Sequence, residues 1–136
     1  MIKKIIKEES GFSMTELMVA LVIIGVLVLL ALPKFMPVVT KAKATEAKLG
    51  LKQVYMLQKA YKLEYDKYAD ELGLIGFEQE KLITEGGNAR YDIKIVSSDV
   101  SEFSATATAV VDFDDDGTFN VWEVTQDGNI KEIKPD

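Results

Sequence analysis

Gly11-Phe12-Ser13-Met14-Thr15-Glu16-Leu17-Met18-Val19-Ala20-Leu21-Val22-Ile23-Ile24-Gly25-Val26-Leu27-Val28-Leu29-Leu30-Ala31-Leu32-Pro33 is the stretch on which the reading of this chain turns. From Leu17 to Ala31 every residue is apolar or glycine, and Glu16 is the single formal charge between Phe12 and Pro33. As a helix the segment from Phe12 covers about 33 Å, enough to cross a hydrocarbon core. Ahead of it lies a short polar head, Met1 to Gly11, with Lys3, Lys4 and Lys7 against Glu8 and Glu9. The positive-inside tendency keeps that head cytoplasmic and places the rest of the chain outside. An export signal would be cut behind its apolar run at small residues, but this run ends in Leu32-Pro33-Lys34-Phe35. The segment therefore spans or anchors.

Gly11-Phe12-Ser13-Met14-Thr15-Glu16-Leu17 followed by a long apolar helix resembles the class III signal of type IV pilins and of the pseudopilins of type II secretion. The resemblance implies that a membrane aspartyl prepilin peptidase cuts between Gly11 and Phe12 and that the new N-terminus, Phe12, is N-methylated. Glu16 becomes the fifth mature residue, and Gly25 and Pro33 fall where pilins carry a helix-weakening glycine and proline. Met14 departs mildly from the usual threonine or leucine. The implied organisation is a cleaved leader at 1–11, a transmembrane and filament-core helix at 12–33, and an amphipathic helix continuing into a globular domain at 34–136.

Glu16 raises a physical question of its own. A carboxylate within the hydrocarbon costs about 2.5 to 3.5 kcal/mol on insertion scales, so it asks for a positive partner. Cleavage would create one in the amine of Phe12, on the same helix or on a neighbouring subunit, where it would also set axial register. The plainer alternative is a glutamate that snorkels at the interface.

Past Pro33 and Pro37 the sequence returns to helix, with an amphipathic face at Leu51, Val54, Gln58, Tyr61, Tyr65 and Tyr68. Unbroken from Ser13 to Tyr68, the helix would run about 84 Å. The two prolines predict a bend, and Gly25 a weak point in the membrane. The tyrosines read as core packing rather than an electron path. Gly73 and Gly76 end the helical pattern. Four strands are expected after it, at 90–96, 102–111, 118–125 and 129–133, with Asp127-Gly128 as a two-residue hairpin turn. The fold class is α+β: one long N-terminal helix packed on a small antiparallel sheet, with Tyr91, Ile93, Ile95 and Trp122 as core candidates.

Asp112-Phe113-Asp114-Asp115-Asp116-Gly117-Thr118-Phe119-Asn120-Val121-Trp122-Glu123 fits the twelve-residue calcium-loop pattern, with acids at positions one, three, five and twelve and glycine at six. Its flanks read as strands, so it is no EF-hand. Asp112, Asp114, Asp116 and Glu123 are the candidate calcium ligands, and an acidic hairpin turn is the alternative. The resemblance bears on this too: in major pseudopilins a calcium near the C-terminal loop stabilises the domain.

Composition narrows the function classes. With no cysteine and no histidine, thiolate chemistry, disulfides and the commonest general base are excluded. Sixteen basic against 22 acidic residues, a formal charge of −6, give no footprint for nucleic acid. No catalytic residues are expected. The leading reading is a pilus subunit acting in adhesion, twitching motility or uptake. Its partners are identical or related subunits, the prepilin peptidase, a pilus or secretion assembly platform and, before assembly, the inner membrane; the assembled filament stands at the cell surface. The alternative is the major pseudopilin of a type II secretion system, which would remain periplasmic. A membrane-tethered binding or enzyme domain with an uncleaved anchor is the reading of a different class.

Overall fold

The computed structural model describes residues 11–136, leaving aside the side chains of residues 35 and 36. The expected leader therefore lies outside the described residues except for Gly11. One helix, α1, runs Met14–Tyr65, and the chain divides into two compact units between Met36 and Pro37.

In the first unit the described part of the helix buries none of its side chains. None of its apolar window is buried, and by length and composition it can cross a membrane. Helical structure continues through Gly25, Pro33 and Pro37, so the prolines do not end the helix.

The second unit is built on a stripe at helical spacing. Ala44, Ala47, Leu51, Val54 and Gln58 are buried, stepping by three and four along one face of α1. Four strands, β1 (Tyr91–Ser98), β2 (Phe103–Ala109), β3 (Val121–Thr125) and β4 (Ile130–Lys134), form an antiparallel sheet in the order β1-β2-β3-β4. On β2 the alternation is strict: Phe103, Ala105, Ala107 and Ala109 are buried while Ser104, Thr106 and Thr108 are half-buried. Small residues thus occupy both surfaces where helix and sheet share a core, and the bulk is supplied by Leu51, Val54, Tyr91, Phe103 and Val124. Ladder shifts between Ile95 and Ser97, and between Val121 and Trp122, mark irregularities in the sheet.

The expected helix end at Tyr68 is corrected to Tyr65. Asp66 takes a left-handed conformation (φ 56°), closing the helix through its N–H on the Lys62 carbonyl at 2.9 Å. Tyr68 then lies beyond the helix, donating its N–H to the Asp99 carbonyl at 3.1 Å. It remains buried, whereas Tyr65 is exposed and stacks on Tyr61 with ring centroids 4.4 Å apart. The three- and four-residue spacing of the tyrosines thus continues to Tyr68, beyond the end of the helix. Tyr91 and Ile93 are core as expected; Ile95 and Trp122 are only partly buried, and the Lys48 ammonium covers the indole at 4.4 Å. The third strand begins at Val121 rather than residue 118 because the preceding residues belong to the acidic loop.

Three side chains hold the connections. Gln58, fully buried, donates Nε2–H to the Ala69 carbonyl at 2.8 Å and accepts the Ala69 N–H on Oε1 at 2.9 Å, imitating a strand partner in the reversal after α1. Gln79 treats the outer edge of β1 the same way, donating to the Tyr91 carbonyl and accepting from the Ile93 N–H, both at 3.1 Å. The expected two-residue Asp127-Gly128 hairpin is corrected: the Gly128 N–H donates to the Thr125 carbonyl at 2.9 Å, which makes Gln126 and Asp127 the central residues of the turn, and Gly128 follows at φ 75° with the Tyr55 ring in the space a Cβ would need.

Candidate functional site

Two groups of residues carry the functional reading: the start of α1 and the loop between β2 and β3.

Gly11, Phe12 and Ser13 are exposed and precede the helix, whose ladder opens with the Leu17 N–H on the Ser13 carbonyl at 3.1 Å. Ser13 Oγ accepts the Glu16 N–H at 3.2 Å, and Glu16 Oε2 accepts the Ser13 N–H at 2.8 Å. This reciprocal pair is a capping box, in which two otherwise orphan helix-end donors are satisfied by side chains. The carboxylate also sits in the first turn, where the helix dipole favours negative charge. Sequence reasoning directed Glu16 at an amine and passed over this nearer partner, although the Ser-x-x-Glu spacing was there to be read. Among the described residues nothing crowds Gly11: a Cβ there would meet no atom within 4 Å. No contact with the described residues demands glycine at position 11. Gly25 is equally open, and Pro33 lies within the helix.

In the loop, the carboxylate oxygens of Asp112, Asp114 and Asp116 lie within 4.8 Å of one another. Backbone donors hold them there. Asp112 Oδ1 accepts the Asp115 N–H at 2.8 Å and its Oδ2 the Gly117 N–H at 2.6 Å; Asp114 accepts the Asp116 N–H at 3.2 Å and Asp116 the Thr118 N–H at 2.7 Å. Asp115 and Gly117 supply the left-handed residues of the turn, at φ 61° and 85°. The fourth candidate, Glu123, does not join them. It stands on β3 with its carboxylate accepting the Ser104 hydroxyl at 2.6 Å. Nor does Asn120, ninth in the pattern: it is fully buried and bonded to Tyr91, Trp122, Glu132 and Lys134.

Instead Asp136, which the sequence pattern could not have indicated, joins the loop from outside it. Its Oδ2 accepts the Phe113 N–H at 3.1 Å, while Oδ1 is buried with no hydrogen-bond partner among the described residues. Burial raises the Asp136 carboxyl above the ordinary range, the Phe113 N–H opposes that, and the carboxylates of Asp114, Asp112 and Asp116 add to it. For Asp112 burial also acts upward, but the N–H groups of Gly117, Asp114, Asp115 and Asp116 outweigh it and hold the carboxyl low. Three convergent carboxylates suit a hard cation with oxygen ligands.

The prokaryotic N-terminal methylation motif is matched at residues 6–32. Over 71 residues the chain is 41% identical to the type IV major pilin protein PilA of Myxococcus xanthus, covering 52% of this chain and 32% of that relative. Over 62 residues it is 37% identical to the type II secretion system core protein G of Pseudomonas aeruginosa, covering 46% of this chain and 44% of that one. The chain thus spans less than half the length of either curated relative. It carries the prokaryotic N-terminal methylation motif and is homologous, over about half of its own length, to a type IV major pilin and to a type II secretion core protein.

Proposed function

We propose that the chain is a structural subunit of a type IV pilus-like filament. It is inserted as a precursor, cut between Gly11 and Phe12 by a prepilin peptidase, methylated on Phe12, and assembled through the apolar helix by an assembly platform. The single observation that carries this is the methylation motif matched at residues 6–32, which from Met14 onward coincides with a helix whose apolar window is not buried by any of the described residues. An exposed apolar surface of that size requires lipid or other subunits, and a filament supplies the second after the membrane has supplied the first. Phe12, Glu16, Gly25 and Pro33 are the assembly residues of this reading. Its role is mechanical, with no catalytic step assigned.

Intact-mass and N-terminal peptide measurement on fibres sheared from cells tests it. A mature chain beginning at N-methylated Phe12 is expected. Fibres built from a chain that keeps residues 1–11 would overturn it and favour a tethered domain with an uncleaved anchor. The identity to core protein G supports a second reading, a periplasmic pseudopilus of type II secretion. A deletion strain that retains surface fibres but loses export of folded proteins would select it.

Calcium at Asp112, Asp114 and Asp116 belongs to the same proposal, as a clamp on a domain without disulfides; Glu123 drops out of the ligand set because Ser104 engages it.

A further inference from the structure

We infer that Lys41 and Lys52 of one copy of the chain dock into a groove rimmed by Glu78 and Glu80 on a second copy lying parallel beside it. The inference rests on the filament reading above and deepens it by naming side chains that select the neighbour. Charge is divided unevenly within the second unit. From Pro37 to the end of α1 the chain carries Lys41, Lys43, Lys48, Lys52, Lys59 and Lys62 against Glu46 and Glu64, whereas residues 66–136 carry 17 acidic against six basic side chains. Two copies of such a unit repel through like faces and attract through unlike ones.

The helix sorts these charges to two sides. Val38, Leu49, Met56 and Leu63 are exposed, Leu63 at 88%, and at about 100° per residue they form one stripe on the side of α1 away from its buried residues. Lys41, Lys48, Lys52 and Lys59 follow one flank of that stripe, about 60 to 100° around the helix, and Glu46, Gly50 and Gln53 follow the other. Contacts with the sheet agree. The Lys48 ammonium lies over Trp122 of β3, while Glu46, Gly50 and Gln53 wall a groove that Tyr91 and Ile93 of β1 also line. Because β2 separates those strands, the two flanks open on opposite sides of the unit.

The groove, about 360 Å³ in volume, suits a lysine. Leu49, Phe77 and Ile93 give it apolar walls for a four-carbon stem, and Gly50, where a Cβ would collide with the Ile93 side chain, lets that strand approach the helix. Glu46 is engaged by Arg90. The carboxylates left at the rim are those of the exposed Glu78 and Glu80, neither of which is in an ion pair among the described residues. On the lysine flank, Lys48 is held over Trp122 and Lys59 bonds the Tyr68 hydroxyl, while Lys41 and Lys52 are exposed and in no ion pair among the described residues. Packed stripe to stripe in parallel, two copies bring the lysine flank of one against the groove flank of the other. In an antiparallel two-fold pair lysine would meet lysine.

The yield of sheared fibres from cells making the full chain tests this, normalised to the mature subunit in the membrane fraction. Lys41→Glu with Lys52→Glu should lower the yield about tenfold or more, and so should Glu78→Lys with Glu80→Lys, because each sets like charges together at the groove. The chain with all four reversals should recover most of the wild-type yield. Glu71→Lys with Glu85→Lys, an equal reversal at exposed residues outside the groove, should leave it unchanged. Wild-type yield from either reversed pair, or no recovery in the fourfold variant, overturns the inference. Should a reversed chain not accumulate in the membrane, Lys41→Gln with Lys52→Gln reads the same contact: wild-type fibres should loosen as salt screens exposed pairs, and the neutral variant should lose that salt dependence. A salt dependence equal to wild type in the neutral variant overturns the inference as well. If the wild-type chain forms no fibres at all, it is the filament reading that fails, and this contact with it.

Discussion

The Tyr91 hydroxyl donates to Asn120 Oδ1 at 2.8 Å, joining β1 to the residue just before β3 with both side chains sealed from water. Asn120 also accepts the Trp122 indole N–H at 2.5 Å and donates Nδ2–H to Glu132 at 2.7 Å and to the Lys134 carbonyl at 3.1 Å. Its amide is thus fully used. An asymmetry follows. Tyr91→Phe removes one bond and leaves Asn120 Oδ1 still satisfied by Trp122, at a cost of about 1 kcal/mol. Asn120→Ala strands a buried phenol and an indole N–H together and should cost about 2 to 3 kcal/mol. Urea unfolding of the two variants should rank them in that order; equal losses would mean the Tyr91 bond carries most of the network.

Gln58 offers a pH-dependent version of the same logic. Its amide both donates to and accepts from Ala69, which a carboxylate cannot do. Gln58→Glu should therefore destabilise the domain at neutral pH by about 3 kcal/mol, from burying a charge and orphaning the Ala69 carbonyl. Burial raises the folded-state pKa of such a glutamate above its unfolded value, so the folded state binds the extra proton. Stability relative to wild type should rise as pH falls, most of it returning below about pH 5, because the protonated acid can donate as well as accept. A stability difference from wild type that is flat between neutral and acid pH would contradict this.

How much of this was legible beforehand depended on range. The apolar helix and the alternating strands are local patterns, written in residues a few positions apart, and each appears where the sequence placed it to within a few residues; the turn between the last two strands is centred one residue earlier than the Asp127-Gly128 pair suggested. Gln58 was read as part of an apolar face because its spacing fits; that it clamps Ala69, eleven residues on, depends on a chain reversal no periodicity encodes. The acidic loop was read as a linear pattern of ligands, and the two members that depart from it do so for tertiary reasons. Glu123 is turned to Ser104 across the sheet, and Asp136 reaches the loop from 23 positions beyond Phe113. The capping box is the exception, a local Ser-x-x-Glu signal that competes with the amine of Phe12 for the same Glu16 carboxylate.

Gly11→Val should separate folding from processing. Nothing in the described chain opposes a side chain there, so the precursor should insert and its second unit fold as in wild type. Cleavage should be lost, and immunoblots should show only full-length protein in the membrane fraction. Mature-length protein at wild-type levels would remove Gly11 from the site.

Glu16→Val should insert more readily than wild type, since a costly carboxylate is gone. Ser13 loses its reciprocal acceptor but keeps its own cap on the residue 16 N–H. Filaments should be few, because the amine of a neighbouring mature chain then has no carboxylate to pair with. Normal incorporation of the variant into fibres when it is expressed alongside wild type would show that this pairing does not guide assembly.

The acidic loop makes the last prediction, because it brings Asp136 together with Asp112, Asp114 and Asp116, whose carboxylates repel one another unless a cation or protons neutralise them. The raised Asp136 carboxyl means that its ionised form is less favourable folded than unfolded, so its unfavourable contribution is present at neutral pH and is relieved as pH falls through its folded-state pKa. Asp112 acts oppositely: held low by backbone N–H groups, it contributes stability at neutral pH that is lost as pH falls through its depressed folded-state pKa. A cation can do at neutral pH what the proton does for Asp136 in acid. Calcium at a hundred times its dissociation constant would add about 2.7 kcal/mol, or roughly 10 to 20 °C in melting temperature for a domain of this size. The chain truncated before Lys34 should therefore melt higher in millimolar calcium than in chelator, with the difference shrinking toward acid pH. Asp114→Ala with Asp116→Ala should abolish the difference, and magnesium should substitute poorly because a crowded carboxylate loop does not meet its octahedral demand. Asp136→Asn should raise the melting temperature in chelator at neutral pH and leave it nearly unchanged in acid. Identical melting curves in calcium and chelator would leave the loop as a turn held by its own backbone donors, and the calcium assignment would be withdrawn while the reading of residues 11–33 stood.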